Sequence, residues 1–230
     1  MSETEIPTIP SLDDLANKYS TDKGTRYPGD SRHGYAPFYD QIFTPIRDKE
    51  IRMLEIGICM EGTLGGHSVF MWREYFSKAS IYTFDIVDMS NHAAIVNYPN
   101  NFFYKGDQGN RNDFVSMYEE FGNEPFDFIL EDGSHTTQHQ MISFGHLFQY
   151  VKPGGVYILE DVSIPGNHVC CIRNDETFRI IENFNNTGKF ETEHLTDSEI
   201  SYIETHVDKI VPYTDDQNAY MTFAFYKKVL

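Results

Sequence analysis

The sequence is short of positive charge, of cysteine, of tryptophan and of long apolar runs. Of 230 residues only 18 are Lys or Arg, against 35 Asp or Glu, a formal charge of −17 with the nine histidines neutral. So acidic a chain offers no basic patch to neutralise a phosphate backbone or anionic lipid headgroups. That excludes nucleic acid and an anionic membrane surface as default partners. Cys59, Cys170 and Cys171 are odd in number and lack metal-ligand spacing, and two of them are neighbours, which rarely bridge. No disulfide framework is readable, and a reduced, cytoplasmic setting is expected. No run of about 18 apolar residues is present to span a membrane. The start, MSETEIPTIPSLDD, is acidic and broken by proline, unlike a secretory signal. On that reading the glycosylation pattern Asn185-Asn186-Thr187 is fortuitous.

What remains is the composition of a folded globule, 40% hydrophobic and 15% aromatic. The length suits one large domain, or one domain with an extra lobe, and buries on the order of 70% of its unfolded surface. Residues 1–50 read as an N-terminal helical lid or arm, and 51–230 as the main domain. Ser11 caps a short helix with Leu12, Leu15, Ala16 and Tyr19 on one face. A polar stretch, 20–34, holds Lys23, Arg26, Arg32 and His33. A second helix carries Tyr35, Phe38, Tyr39, Ile42 and Phe43, with Pro37 in its first turn and Pro45 at its end.

From Ile51 strand-like runs (53–58, 81–86, 102–105, 126–131, 156–160) alternate with amphipathic stripes. The stripes are Val69, Trp72, Tyr75, Phe76; then Phe114, Met117, Tyr118, Phe121; then Phe144, Leu147, Phe148, Val151. This pattern predicts an α/β fold with right-handed crossovers and a parallel sheet. A turn at 152–155 precedes the fifth strand. Helices are expected around Phe178–Ile181 and Ile200–Val207, and strands 209–213 and 219–229 read as a terminal antiparallel hairpin.

In an open parallel sheet, ligands bind beyond the carboxyl ends of the strands. Here each strand delivers an acid at that end. The five ends are Glu55-Ile56-Gly57, Asp85, Gly106-Asp107-Gln108, Glu131-Asp132-Gly133-Ser134-His135 and Glu160-Asp161. Gly57 opens a turn where backbone approaches a ligand. The loop that follows carries Gly62, Gly65 and Gly66, and Gly65, Gly66 and Ser68 bring a helix N-terminus toward an anionic group. Asp85 is placed to accept hydrogen bonds from ribose hydroxyls. Strand, glycine loop, helix and acid fit any adenosine cofactor, nicotinamide dinucleotide or S-adenosylmethionine, although the tight G-x-G-x-x-G spacing of the former is absent. Asp132, Glu160 and Asp161 converge if the fourth and fifth strands are adjacent. They then make a hard oxygen site for Mg2+, Mn2+ or Ca2+. Side chains alternate along a strand, so both Glu160 and Asp161 reach one ion only if the strand has broken there. His135, beside that site, is a candidate general base. His139 and His146 read as surface or core histidines.

The stretch 53–162 resembles class I S-adenosylmethionine-dependent methyltransferases. More closely it resembles the metal-dependent sugar O-methyltransferases of macrolide biosynthesis, the macrocin and mycinamicin type. The resemblance rests on Leu54-Glu55-Ile56-Gly57, Gly65-Gly66-His67-Ser68, Met71-Trp72, Phe84-Asp85-Ile86, Gly106-Asp107-Gln108, Asp132-Gly133-Ser134-His135 and Pro153-Gly154-Gly155 to Glu160-Asp161. Thr21-Asp22-Lys23-Gly24, His33-Gly34-Tyr35 and Tyr39 look like the lead-in of these enzymes. The resemblance implies a Rossmann-like methyltransferase fold: a mostly parallel seven-stranded sheet, a C-terminal antiparallel strand and helices on both faces. It implies magnesium ligands at Asp132, Glu160 and Asp161, a base at His135 and a ribose ligand at Asp85. Asp107 and Gln108 would lie near the adenine, and Glu55, Gly57 and Ser68 at the methionine end. Two features depart from the pattern: Glu131 stands where the family often has Asp, and the loop 58–64 is not glycine-rich.

The implied activity is methyl transfer to a sugar hydroxyl, of rhamnose or another deoxysugar, on a glycan or natural product. Alternatives are a non-sugar diol or phenol acceptor, a β-lactam methoxylation relative, and a non-catalytic cofactor-binding protein. The stretch 18–39 reads equally as a lid, with Lys23 or His33 near the cofactor carboxylate, or as an arm against a partner subunit in a homo-oligomer.

Overall fold

In the computed structural model, which describes residues 9–28, 32–59, 65–165, 175–214 and 220–229, one seven-stranded sheet organises the chain. Its strands are β1 (Arg52–Ile56), β2 (Ser80–Asp85), β3 (Asn101–Lys105), β4 (Phe126–Glu131), β5 (Val151–Ser163), β6 (Val207–Tyr213) and β7 (Tyr220–Lys227). They lie in the order β3-β2-β1-β4-β5-β7-β6. β1 to β5 pair in parallel, and β7 runs antiparallel to both β5 and β6. The helices are α1 (Leu12–Lys18), α2 (Ala36–Phe43), α3 (His67–Tyr75), α4 (Ala93–Val96), α5 (Arg111–Glu120), α6 (Thr137–Leu147), α7 (Glu176–Thr187) and α8 (Asp197–His206). Fold class and terminal hairpin are as expected from the pattern. Among the described residues no helix is long and apolar enough to cross a membrane.

Helices on both sides bury both faces of the sheet, which is why its central strands read as continuous apolar runs. Alternate residues feed two cores. Leu54, Ile56, Phe84 and Ile129 meet Phe114 of α5, Met141 and Phe144 of α6, Ile181 of α7 and Ile203 of α8. Met53, Ile81, Phe128, Leu130 and Ile158 meet Leu12 and Leu15 of α1, Tyr39 and Phe43 of α2, and Trp72 and Phe76. Residues before the first strand therefore share a core with the sheet. α1 starts on a reciprocal cap: Ser11 Oγ accepts from Asp14 N at 3.1 Å, and the Asp14 carboxylate accepts from Ser11 N at 3.2 Å. Thr196 and Glu199 repeat this at α8. Glu199 also takes a two-pronged salt bridge from Arg111, at 2.8 Å on each oxygen, tying α8 to α5.

Four details differ from the sequence reading. The stretch 152–155 belongs to β5 instead of preceding it. Pairing jumps from Phe126↔Val151 to Phe128↔Val156, so extra residues loop out within a continuous strand. Pro45 sits inside a 3-10 turn, Thr44–Ile46, which continues α2, because proline is tolerated in a first helical turn. β6 begins at Val207, directly out of α8, two residues early. α4, only four residues long, is too short to show a period. Gly62, Cys170 and Cys171 lie outside the described residues, as does the 215–219 connection of the hairpin.

Phe128 is fully buried, with its ring centroid 4.2 Å from that of Phe43, 5.6 Å from Phe76 and 6.2 Å from Trp72. Phe128→Ala is expected to cost about 3–5 kcal/mol, read as a lower urea midpoint with an unchanged slope. A cost below about 1 kcal/mol would contradict this placement.

Candidate active site

Strand order sets the carboxyl ends of β3, β2, β1, β4 and β5 side by side, and connectivity reverses between β1 and β4. That switch point is where an open α/β sheet leaves a crevice. Gly57, at φ +81°, closes β1 against the loop after β4, and a Cβ there would lie 2.0 Å from the Asp132 carbonyl oxygen. Only glycine fits such an approach at that backbone angle. Gly66, also left-handed at φ +70°, donates its N–H to Ile58 O at 2.7 Å and returns the loop to the strand.

Asp85 Oδ2 accepts from Ile58 N at 2.8 Å and Cys59 N at 3.0 Å, while Oδ1 accepts from Val87 N at 2.8 Å. The acid ending β2 thus braces the loop leaving β1. Glu55 is fully buried, and neither of its carboxylate oxygens has a partner of good hydrogen-bond geometry among the described residues, although the Ser68 and Trp72 side chains stand near enough to favour its charged form. Burial pushes the Glu55 carboxyl up to about 7, against the pull of Lys23. Ser68 lies buried in the first turn of α3. The neighbours Asp107 and Gln108 point different ways. Asp107 is exposed, its Oδ1 accepting from Gly109 N at 2.8 Å. Gln108 is buried: its Nε2 donates to the Glu131 carboxylate and to Ser143 Oγ at 3.0 Å, and its Oε1 accepts from Ser134 N at 3.0 Å. It braces the loop that carries Asp132 and His135.

The acidic cluster forms where β5 breaks. Its pairing with β7 steps from Leu159↔Phe223 to Val162↔Met221, three residues against two, and Asp161 adopts φ +55°. The bulge brings Asp161 to Asp132 and His135, while Glu160 stays outside that group of three. Ligand atoms of Asp132, His135 and Asp161 lie within 4.8 Å of one another. His135 Nε2 is 3.8 Å from Asp132 Oδ1 and 3.7 Å from Asp161 Oδ2. His135 too is left-handed, at φ +57°. Non-glycine residues held in that region cost on the order of 1–3 kcal/mol and collect at functional sites.

Glu160 lies deeper, fully buried, its Oε1 accepting from Tyr39 OH at 2.6 Å and its Oε2 from Lys23 Nζ at 2.7 Å. Lys23 Nζ also donates to Asp132 Oδ2. Tyr35 OH donates to Asp161 Oδ1 at 2.9 Å, and His33 Nδ1 lies 3.2 Å from that oxygen. Burial pulls the Lys23 ammonium down, but Asp132 and Glu160 outweigh it and hold its pKa well above the ordinary lysine value. Burial raises Glu160 well above the carboxylate range, with Asp132 adding to the effect. So Lys23, His33, Tyr35 and Tyr39, all from before the sheet, roof the carboxylates. Sequence reasoning missed Tyr35 and Tyr39 as their partners, and placed Lys23 near a cofactor carboxylate. The usable signal was scarcity: in a chain so poor in cations, Lys23 is buried among acids. His139 hydrogen-bonds Ser134 Oγ at 2.8 Å, and His146 stacks on Phe114, both away from the cluster.

The group of Asp132, His135 and Asp161 fits a hard divalent cation, with Glu160 and the Lys23 ammonium beside Asp132. The buried Glu55 carboxylate beside Gly57 fits a ligand that ends in a cationic donor.

No protein-family model matches the sequence. The chain is similar to the demethylmacrocin O-methyltransferase of Streptomyces fradiae, 37% identical over 155 residues, 66% of this chain and 36% of that protein. It is similar to the mycinamicin VI 2''-O-methyltransferase of Micromonospora griseorubida, 34% identical over 155 residues with the same coverages. A third relative, the 8-demethyl-8-alpha-L-rhamnosyl tetracenomycin-C 2'-O-methyltransferase of Streptomyces olivaceus, is 32% identical over 156 residues, 67% of this chain and 38% of that protein. The chain thus spans just over a third of the length of these curated relatives. Among solved structures it resembles the MycE methyltransferase from the mycinamycin biosynthetic pathway, in complex with Mg, SAH and mycinamycin VI. The TM-score is 0.71 at 25% identity, over 95% of this chain and 55% of that one.

Gly57→Ala puts a Cβ into the Asp132 carbonyl at an angle alanine avoids. It is expected to destabilise the protein by about 2 kcal/mol or more, measured by chemical denaturation. An unchanged midpoint would contradict the contact between β1 and the 132–135 loop.

Proposed function

We propose that this chain, a class I methyltransferase by fold and a homologue of macrolide-sugar O-methyltransferases, transfers a methyl group from S-adenosylmethionine to a sugar hydroxyl. The acceptor class is rhamnose or another deoxysugar carried by a natural product or glycan. The observation that carries this reading is the meeting, at one switch point, of a buried Glu55 with the Asp132, His135 and Asp161 cluster. Relatives named for rhamnosyl and macrolide acceptors favour a sugar over a non-sugar diol or phenol.

When bound, S-adenosylmethionine supplies an electrophilic methyl on a sulfonium, and a divalent cation supplies a Lewis acid that lowers the pKa of a hydroxyl. The chain's own residues divide the rest. Asp85 receives the ribose hydroxyls, with Asp107 near the adenine, and Gln108 acts through the loop it braces. Glu55 receives the amino group at the methionine end, where Gly57 lets the backbone approach and Ser68 lines the wall. Asp132, Glu160 and Asp161 would hold the cation. His135 Nε2 takes the proton of the acceptor hydroxyl as the C–O bond forms and the C–S bond breaks, leaving a neutral thioether. The flanking carboxylates of Asp132 and Asp161 stabilise the imidazolium so formed. Holding donor and acceptor in line accounts for much of the rate, and the hydroxyls of Tyr35 and Tyr39 fix the Asp161 and Glu160 carboxylates.

Asp132→Ala and His135→Ala are each expected to lower turnover by roughly 10²–10⁴-fold. Calorimetry should find S-adenosylmethionine binding intact in His135→Ala. Chelation should abolish turnover of a rhamnosylated or deoxysugar acceptor, read by mass spectrometry, and Mg2+ should restore it. Full activity of both variants in chelator contradicts the mechanism, and binding of NAD without S-adenosylmethionine contradicts the cofactor.

A further inference from the structure

Lys23 stands where a cation belongs. Its side chain is 1% exposed, and its Nζ is bound to Asp132 Oδ2 and Glu160 Oε2, two of the three carboxylates proposed as metal ligands. We propose that Lys23 is a built-in placeholder for the divalent cation, holding Asp132 and Glu160 together in the metal-free protein and leaving them when the ion enters. This inference rests on the metal-dependent reading above and concerns how the chain keeps that site in order when it is empty.

Three observations carry it. First, Glu160 has no free oxygen: Oε1 is held by Tyr39 and Oε2 by Lys23, and the residue is fully buried. An ion that takes Oε2 competes with the ammonium for it. Second, Asp132, Glu160 and Asp161 lie close enough to act on one another as like charges, and each is costly to desolvate. One ammonium on a flexible four-carbon stem is a partial remedy, and a divalent ion is a fuller one. Third, a displaced ammonium has somewhere to go. Glu55 adds to the negative field at Lys23, and its carboxylate has no partner of good hydrogen-bond geometry among the described residues. An exchange of partners from Glu160 to Glu55 keeps the lysine paired, as a buried charge must be.

The exchange reaches beyond the side chain. The Lys23 carbonyl accepts from Ala36 N at 2.8 Å, and the Asp22 carbonyl accepts from His33 N at 2.8 Å and Gly34 N at 3.2 Å. Residues 22 and 23 are thus laced to the start of α2, which carries Tyr35 and Tyr39 onto Asp161 and Glu160.

The test compares wild type and Lys23→Met by Mn2+ titration, read by electron paramagnetic resonance, and by thermal unfolding in chelator and in Mn2+. Lys23→Met is expected to bind Mn2+ about tenfold or more tighter, to melt below wild type in chelator, and to gain more from the ion. Binding by Lys23→Met that is equal to or weaker than wild type overturns the proposal. Should Lys23→Met fail to fold even with Mn2+, Lys23→Gln is held to the same criterion. A crystal structure of the Mn2+-loaded wild type separates displacement from simple relief of charge. Lys23 Nζ outside hydrogen-bond distance of both carboxylates is expected, and Nζ retained on both beside a bound ion overturns the placeholder. Absence of Mn2+ binding in both proteins instead overturns the metal-dependent reading itself.

Discussion

The buried contact of Lys23 with Asp132 and Glu160 joins three parts of the chain: the stretch before the sheet, the end of β4 and the break in β5. Buried charges are kept only when paired, and removing one partner of such a group commonly costs about 3–5 kcal/mol. The arrangement of the roof follows from that constraint. Tyr35 and Tyr39 are buried with their hydroxyls on Asp161 and Glu160, and the aromatic faces below them continue through Phe43 and Trp72 into the core against Phe128. Site and core are one packed unit on this side of the sheet.

The other side of the crevice is built by backbone. Gly57, Gly66 and the three N–H groups gathered by Asp85 fix the path of the loop between β1 and α3. A carboxylate that orders a loop in this way is held in place before any ligand arrives, which reduces the ordering cost of binding. Gln108 does the same for the 132–135 loop from behind. Both sides of the crevice therefore rest on polar braces, Asp85 for the loop after β1 and Gln108 for the loop after β4.

Much of the fold was legible because strands buried on both faces and helices buried on one carry different periods. Phe126–Glu131 and the stripe Phe114, Met117, Tyr118 are examples. The terminal hairpin was readable from alternation in 220–227. The acids at the strand ends were readable because a parallel sheet puts all such ends on one edge, whatever the strand order. What the sequence could not convey was contact across long separations. Lys23 and Glu160 are far apart in the chain, and nothing in the local pattern of 20–39 says that its lysine and tyrosines land on carboxylates. The bulge at Glu160-Asp161 was likewise a requirement of the metal reading before it was an observation, because no glycine marks it. Gln108 shows the limit of inference by position: it sits where a cofactor contact is expected, yet its side chain turns inward to Glu131 and Ser143.

The central claim is that the cluster of Asp132, Glu160 and Asp161 holds an ion that binds the acceptor hydroxyl directly. The most direct measurement is the electron paramagnetic resonance spectrum of the Mn2+-loaded protein with S-adenosylhomocysteine and a rhamnoside carrying oxygen-17 at its hydroxyls. Line broadening by the labelled oxygen is the predicted result. A spectrum unchanged by the label, with the sugar shown to be bound, would contradict the account.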